Sequence, residues 1–310
     1  FGTSCTGSRF LNGTLELHEQ LEGELAEWVG KPAALIFSTG MQVNLGTISS
    51  LVGRGDTIIL DKEDHASIVD GARLGYGKIE RFRHNDIDHY KRVLESIPSE
   101  SGKLVVVDGV FSMGGDLARL DEMVTVAKEY GARFMVDDAH GIGVTGQGHG
   151  TAWQYGVTDD VDLIMSTFSK SFASLGGFIA GEEDVIHYIK HFARSLIFSA
   201  SPTPSNTAAA LAALSIMREE PDRVQKVMDN AEKMRNAFGQ MGFNTGESVT
   251  PIIPIIIGDD QLTFLTWRTL FEAGVFVNPI ISPAVPPGLQ LLRTSYMATH
   301  SDEQLDQVLG

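Results

Sequence analysis

Residues 165–181, MSTFSKSFASLGGFIAG, set Lys170 between two serines in a run of apolar, hydroxyl and glycine residues, and it is the only Lys or Arg between Arg133 and Lys190. A lysine in apolar surroundings with no adjacent carboxylate is pushed toward its neutral amine, which is nucleophilic and forms a Schiff base with a carbonyl. Other reactive side chains recur where apolar runs end. ALIF leads into Ser38-Thr39-Gly40-Met41, TIILDKE into Asp64-His65-Ala66-Ser67, RFMV into Asp137-Asp138-Ala139-His140, and LIMS into Thr167-Phe168-Ser169-Lys170. Pyridoxal phosphate is the carbonyl cofactor that uses such a set, since it needs an acid at its pyridine nitrogen, a partner for its ring oxygen, a group on its ring face and donors for its phosphate. On this reading Asp137 keeps the pyridine nitrogen protonated, His140 reaches the ring oxygen and His65 stacks. Gly40 and Met41 open a helix whose N–H groups suit a phosphate, and Thr167 and Ser169 add hydroxyls. Singly, each residue has a plainer reading: a solvated surface lysine, hydrogen-bonded histidines, a turn-capping aspartate. Their joint placement favours the site.

The elements that must position these residues are short apolar runs alternating with helical patterns. Residues 14–29 carry Leu17, Leu21, Leu25 and Trp28 at helical spacing, with Thr14 as the expected N-cap and Gly30 as terminator. ALIFSTG, DTIILD, KLVVVDGVF, RFMVDD, DLIMSTFS and GFIAG then read as strands separated by helices at 41–51, 66–75 and 120–130. Continuous apolar runs mark strands covered on both faces, so the fold class is α/β with a mostly parallel sheet. In such sheets ligands bind beyond the carboxyl ends of the strands, where the reactive residues fall. After FSASPTPSN a long helix and the runs PIIPIIIG, VFVNPII and LLRTSY suggest a smaller α+β domain. The expected organisation is a large cofactor-binding domain at 1–195 and a connecting helix with a small C-terminal domain at 196–310.

Composition narrows the function classes. The 310 residues are 43% hydrophobic and 21% charged, ordinary for a folded globular protein. A net charge of −16 with scattered basic residues argues against nucleic acid as a partner. The single cysteine, Cys5, excludes an intrachain disulfide framework and fits a reducing compartment, so a cytoplasmic location is expected. Apolar stretches such as LVVV and IIPIII fall far below the roughly 18 residues of a membrane span. FGTSCTGSRF starts without Met and reads as an internal start, so a preceding segment is expected.

Two patterns are set aside. GIGVTG at 141–146 has dinucleotide-like glycine spacing but runs on into GQGHG instead of opening a helix. His84 and His89 in RHNDIDHY flank Asp86 and Asp88, yet a polar loop entering a helix explains them, and no metal is assigned.

The blocks GSRFLNGTLELHEQLE, FSTGMQVN, DHASIVDG, VDDAHGIGV, TFSKS and GGFIAG, and LLRTSYMATH together make the chain similar, over essentially its whole length, to the α-oxoamine synthases, pyridoxal-phosphate enzymes of the aspartate-aminotransferase fold. The resemblance implies that Lys170 carries the cofactor, that Asp137, His140 and His65 hold its ring, and that Ser199 and Ala200 of the FSAS segment reach the phosphate of a partner subunit in a homodimer with shared sites. It implies a decarboxylating Claisen condensation of an amino acid with an acyl-CoA thioester, with Arg293 as candidate for the amino-acid carboxylate or for ordering the loop that holds it. Several relatives have an arginine before a P-x-V-P turn where NPIISPAVP has Ile281, which leaves that contact open. Within the family, TSCTGSRFLNGTLELH, SPAVPPG and RTSYMATH resemble most the soluble bacterial members that join L-serine to a long-chain acyl-CoA such as palmitoyl-CoA, giving 3-ketosphinganine, with at most transient membrane contact. The alternative is 8-amino-7-oxononanoate synthesis from L-alanine and a pimeloyl thioester, with glycine acetyltransferase and 5-aminolevulinate synthase chemistries behind it. A non-enzymatic partner subunit is disfavoured by the presence of Lys170.

Overall fold

A computed structural model describes residues 1–310. In chain order its elements are α1 (Glu16–Val29), β1 (Ala33–Phe37), α2 (Gly40–Leu51), β2 (Thr57–Asp61), α3 (Ala66–Leu74), β3 (Lys78–Phe82), α4 (Ile87–Glu95), β4 (Lys103–Asp108), α5 (Leu120–Glu129), β5 (Arg133–Asp137), α6 (Thr151–Gln154), β6 (Leu163–Thr167), β7 (Gly177–Gly181), α7 (Glu183–Phe192), α8 (Arg194–Ile197), α9 (Pro204–Glu219), α10 (Asp222–Gln240), β8 (Ile252–Ile256), α11 (Asp260–Glu272), β9 (Asn278–Ile280), β10 (Leu291–Ser295) and α12 (Asp302–Leu309). They form two compact units, residues 1–110 with 118–220, and residues 111–117 with 221–310. The composition changes after residue 195, whereas α9 stays with the first unit because it packs on α1. There Arg218 donates to the Glu24 carbonyl at 3.1 Å and lies over the Trp28 ring.

The first unit is built on a seven-stranded sheet in the order β1-β7-β6-β5-β4-β2-β3, parallel from β6 to β3, with β7 antiparallel to both neighbours. Strands β2, β4, β6 and β7 are buried throughout, as continuous Val/Ile/Leu runs require when helices cover both faces. Phe37, Val43, Leu60, Val106, Met135 and Ile179 belong to one core cluster joining the sheet to its helices, and each such side chain contributes about 1.5–3 kcal/mol relative to exposure. The edge strand β3, KIERF, mixes three charged residues with Ile79 and Phe82 and buries only Phe82. It carries no continuous apolar run and is absent from the strands expected above.

The helix expected from Thr14 begins later. The Thr14 hydroxyl donates to the Arg9 carbonyl at 2.6 Å and accepts from Arg9 Nε at 3.2 Å, so it is turned to Arg9 instead of the helix; Leu15 takes the N-cap position and its N–H donates to His18 Nδ1. Gly30 ends α1 in the left-handed region, φ 70°, as expected of a C-terminal glycine.

The second unit has an antiparallel three-stranded sheet, β8-β10-β9, and a core that includes Met234, Phe238, Ile253, Leu292 and Leu305. Segment 111–117 joins this unit through the Thr250 hydroxyl, which donates to the Gly115 carbonyl at 2.9 Å.

Candidate active site

The parallel strands β2, β4, β5 and β6 end on Asp61, Asp108, Asp137 and Thr167. At this carboxyl rim the first unit has a cavity of about 230 Å³. Its wall includes Gly40 and Met41 from the start of α2, His65 ahead of α3, Asp137 and His140 after β5, and Thr167, Ser169 and Lys170 after β6. One sheet edge therefore brings together residues separated by up to 130 positions.

Each wall residue is positioned by local structure. Thr39 caps α2 by accepting from the Gln42 N–H, which leaves the helix N-terminus at Gly40 turned to the cavity. Gly40 permits the close approach of α2 to β6, because a Cβ there would sit 2.8 Å from both Cβ and Oγ1 of Thr167. Thr167 Oγ1 donates to the Gly176 carbonyl at 3.0 Å and lies 3.0 Å from Ser169 Oγ. His65 is the N-cap of α3. Asp137 is 3% exposed; Oδ2 accepts from Asn44 Nδ2 at 2.7 Å and Oδ1 from the Ala139 N–H at 3.1 Å.

Lys170 departs from the apolar setting expected of it, since its side chain is exposed on the cavity wall. The neighbouring sequence holds no carboxylate, but the strand ends supply carboxylates in space, and the positive charge of Lys170 acts on Asp108.

Three residues to which sequence reasoning gave no role complete the wall and its support. Asp108 ends β4 and accepts the His65 backbone N–H at 2.6 Å; applying the strand-end rule to KLVVVDG would have found it. Asn44 lies inside α2 and Ser67 in the first turn of α3, and both are buried. Nothing in the local sequence marks Asn44, whereas Ser67 stands in the Asp64-His65-Ala66-Ser67 block without an assigned role.

The rim is strongly acidic beneath its surface. Asp64 accepts backbone N–H groups of Asp61 and Asp108. Burial, and then the charge of Asp108, raises its carboxyl well above the usual range. Burial also raises Asp108, with Asp137 adding to the shift and the His65 N–H bond opposing it. Asp138 is pushed up to about 7 by burial, although it accepts from the backbone N–H and the hydroxyl of Thr151.

The remaining residues assigned from the sequence lie elsewhere. Ser199 and Ala200 do not line this cavity and rest beside α2 of their own chain: Gln42 Nε2 donates to Ser199 Oγ at 2.9 Å, and the Ser38 hydroxyl donates to the Ala200 carbonyl. Arg293 is on β10 of the second unit, with Nε donating to the Ser112 carbonyl at 2.6 Å and Nη1 to Ser295 Oγ at 2.8 Å. Burial lowers its proton affinity.

Comparison with known proteins adds a family to this geometry, for the model described as "Aminotransferase class I and II" matches residues 4–310. The chain belongs to that family. A serine palmitoyltransferase of Sphingobacterium spiritivorum is 53% identical over 310 residues, which are 100% of this chain and 78% of that protein. A putative 8-amino-7-oxononanoate synthase of Halalkalibacterium halodurans is 43% identical, over 99% of this chain and 78% of that protein. Among solved structures, a serine palmitoyltransferase variant from S. paucimobilis with a bound PLP–myriocin aldimine superposes with TM-score 0.97 at 38% identity, covering 100% of this chain and 79% of that one. The fold is thus that of pyridoxal-phosphate enzymes of the aminotransferase type.

Proposed function

We propose that the protein condenses L-serine with a long-chain acyl-CoA, palmitoyl-CoA by preference, to give 3-ketosphinganine, CoA and carbon dioxide. The observation that carries this reading is the whole-chain identity to a serine palmitoyltransferase, which exceeds the identity to the oxononanoate synthase by ten points in the hundred, 53% against 43%.

The cavity fits pyridoxal phosphate on its own chemistry. A helix N-terminus faces it where a glycine leaves room against Thr167, and a buried carboxylate stands across it. Gly40, Met41, Thr167 and Ser169 would hold the phosphate, Asp137 the pyridine nitrogen, His140 the ring oxygen and His65 the ring face. When bound, the cofactor supplies an electron sink for negative charge at the amino-acid α-carbon.

The chain's own residues do the rest. Lys170 Nζ holds the cofactor and takes the α-proton of the amino acid. Asn44 and Ala139 fix the carboxylate plane of Asp137, which would hold the pyridine nitrogen protonated. Arg293 orders segment 111–117 through Ser112 and offers its remaining donors to the substrate carboxylate. The working enzyme is a homodimer in which the segment around Ser199 and Ala200 also reaches the partner's phosphate site. It works in the cytoplasm and touches membrane at most transiently. In support, no helix of the chain is long and apolar enough to cross a membrane.

The test is a spectral titration of cofactor-loaded protein with L-serine, glycine and L-alanine, followed by release of CoA thiol from several acyl-CoAs. A saturable response to L-serine with thiol release preferring palmitoyl-CoA is expected. A response to L-alanine with pimeloyl-CoA would replace this substrate assignment by the oxononanoate one.

A further inference from the structure

A hydrogen-bond chain runs beneath the cavity from Asp137 to His65. Asn44 Nδ2 donates to Asp137 Oδ2 at 2.7 Å and to Ser67 Oγ at 2.8 Å, and Ser67 Oγ lies 2.7 Å from His65 Nδ1. The Ser67 backbone N–H also donates to the same Nδ1, at 3.2 Å. Asn44 is fully buried, Ser67 is 2% exposed, and Asp137 is 3% exposed, so water does not compete for these bonds.

The direction of the chain is fixed at both ends. At one end the partner of Asn44 is a carboxylate, which only accepts. The amide nitrogen must face it, and the opposite flip would set two acceptors against each other. Asn44 then spends one N–H on Asp137 and the other on Ser67. Having accepted from Asn44, the Ser67 hydroxyl has one proton, and it donates that proton to His65 Nδ1. At the other end the Ser67 backbone N–H points to the same Nδ1 at the longer distance of 3.2 Å, so the hydroxyl at 2.7 Å supplies most of the hold. The cost of this arrangement is visible in Asn44 Oδ1, which is buried without a hydrogen-bond partner.

We infer that Asn44 and Ser67 are a positioning pair that places the proton of His65 on Nε2 and ties its ring orientation to that of Asp137. A histidine held by its Nδ1 acceptor presents Nε2–H as its other polar atom. The Asp108 carboxylate, bonded to the His65 backbone N–H at 2.6 Å, fixes the main chain at the same residue. His65 is exposed on the cavity wall while both its anchors are buried, so ring and carboxylate act as one preset frame. The use of the pair in catalysis rests on the function proposed above; the tautomer itself does not.

The test uses cofactor-loaded protein labelled with ¹⁵N-histidine, with the His65 resonances assigned by their loss in His65→Gln. The unchanged protein should show Nδ1 unprotonated and Nε2 protonated. Ser67→Ala should mix the tautomers and lower kcat about tenfold with KM for L-serine within about twofold, the size of effect usual for an outer partner that orients a site histidine, and Ser67→Thr, which keeps the hydroxyl, should restore both readouts. A proton on Nδ1 in the unchanged protein, or an unaltered tautomer in Ser67→Ala, would overturn the inference. Once His65 is assigned, the spectrum of the unchanged protein decides this whether or not Ser67→Ala folds, and its turnover reports separately on the proposed reaction.

Discussion

At the residue scale, the site consists of groups whose behaviour is set by what the strand ends bring near them. Lys170 is exposed and makes little contribution to packing, so Lys170→Ala should abolish turnover and the yellow absorbance while changing unfolding free energy by no more than about 0.5 kcal/mol; retained turnover would contradict its role. Asp138 carries a pH prediction. Its folded pKa, about 7, lies above the ordinary aspartate value of 3.8, so between these values the native state binds the extra proton. Stability from this group is complete below about 3.8 and is lost as pH rises through about 7, by up to about 1.4 kcal/mol per pH unit. Denaturant unfolding of Asp138→Asn between pH 4.5 and 7 (roughly the window these values define) should show a correspondingly flatter decline than the unchanged protein; parallel declines would exclude Asp138 as the source. Lys170, Asp137, His140 and His65 were legible because each stands just past an apolar run. Asn44 was not, since an asparagine inside a helix differs in no local way from a solvated one, and Ser67 stood in the right block with nothing local to show what it holds.

At the element scale, what the sequence concealed was contact between segments distant along the chain. The continuous apolar runs of β2, β4 and β6 announced buried parallel strands, whereas β3 is mostly charged, as a solvent-facing edge allows, and gave no such signal. Thr14 looked like a cap until Arg9 claimed its hydroxyl. Arg9 is 2% exposed, and its guanidinium pairs with both oxygens of Glu22, whose Oε1 also accepts the Ile36 N–H of β1. Removing one partner strands the other, so Arg9→Ala should cost about 3–5 kcal/mol in denaturant unfolding, and a loss below about 1 kcal/mol would mean the pair does not anchor the N-terminal segment. The α2–β6 approach offers a second test. Gly40→Ala forces a Cβ against Thr167 and should destabilise by about 1–3 kcal/mol, with cofactor uptake weakened through displacement of the α2 N-terminus. Unchanged uptake measured by equilibrium dialysis would detach that helix end from phosphate binding.

At the scale of the whole molecule, the acidic charge, the single cysteine and the chain length bounded the class of protein, and the ordered blocks of sequence carried the family. The homodimer is a prediction of the proposed function: sedimentation equilibrium should give twice the 33.6 kDa chain mass, and a monomer with full turnover would exclude shared sites. The account as a whole stands on one reaction, a condensation that forms a carbon–carbon bond as the serine carboxyl leaves. The most direct measurement is to supply cofactor-loaded protein with L-serine labelled with ¹³C at its carboxyl carbon together with palmitoyl-CoA, and to follow the products by mass spectrometry. Labelled carbon dioxide, CoA and unlabelled 3-ketosphinganine in equal amounts are predicted. Thiol release without labelled carbon dioxide, or a lipid product that retains the label, would contradict the proposed chemistry.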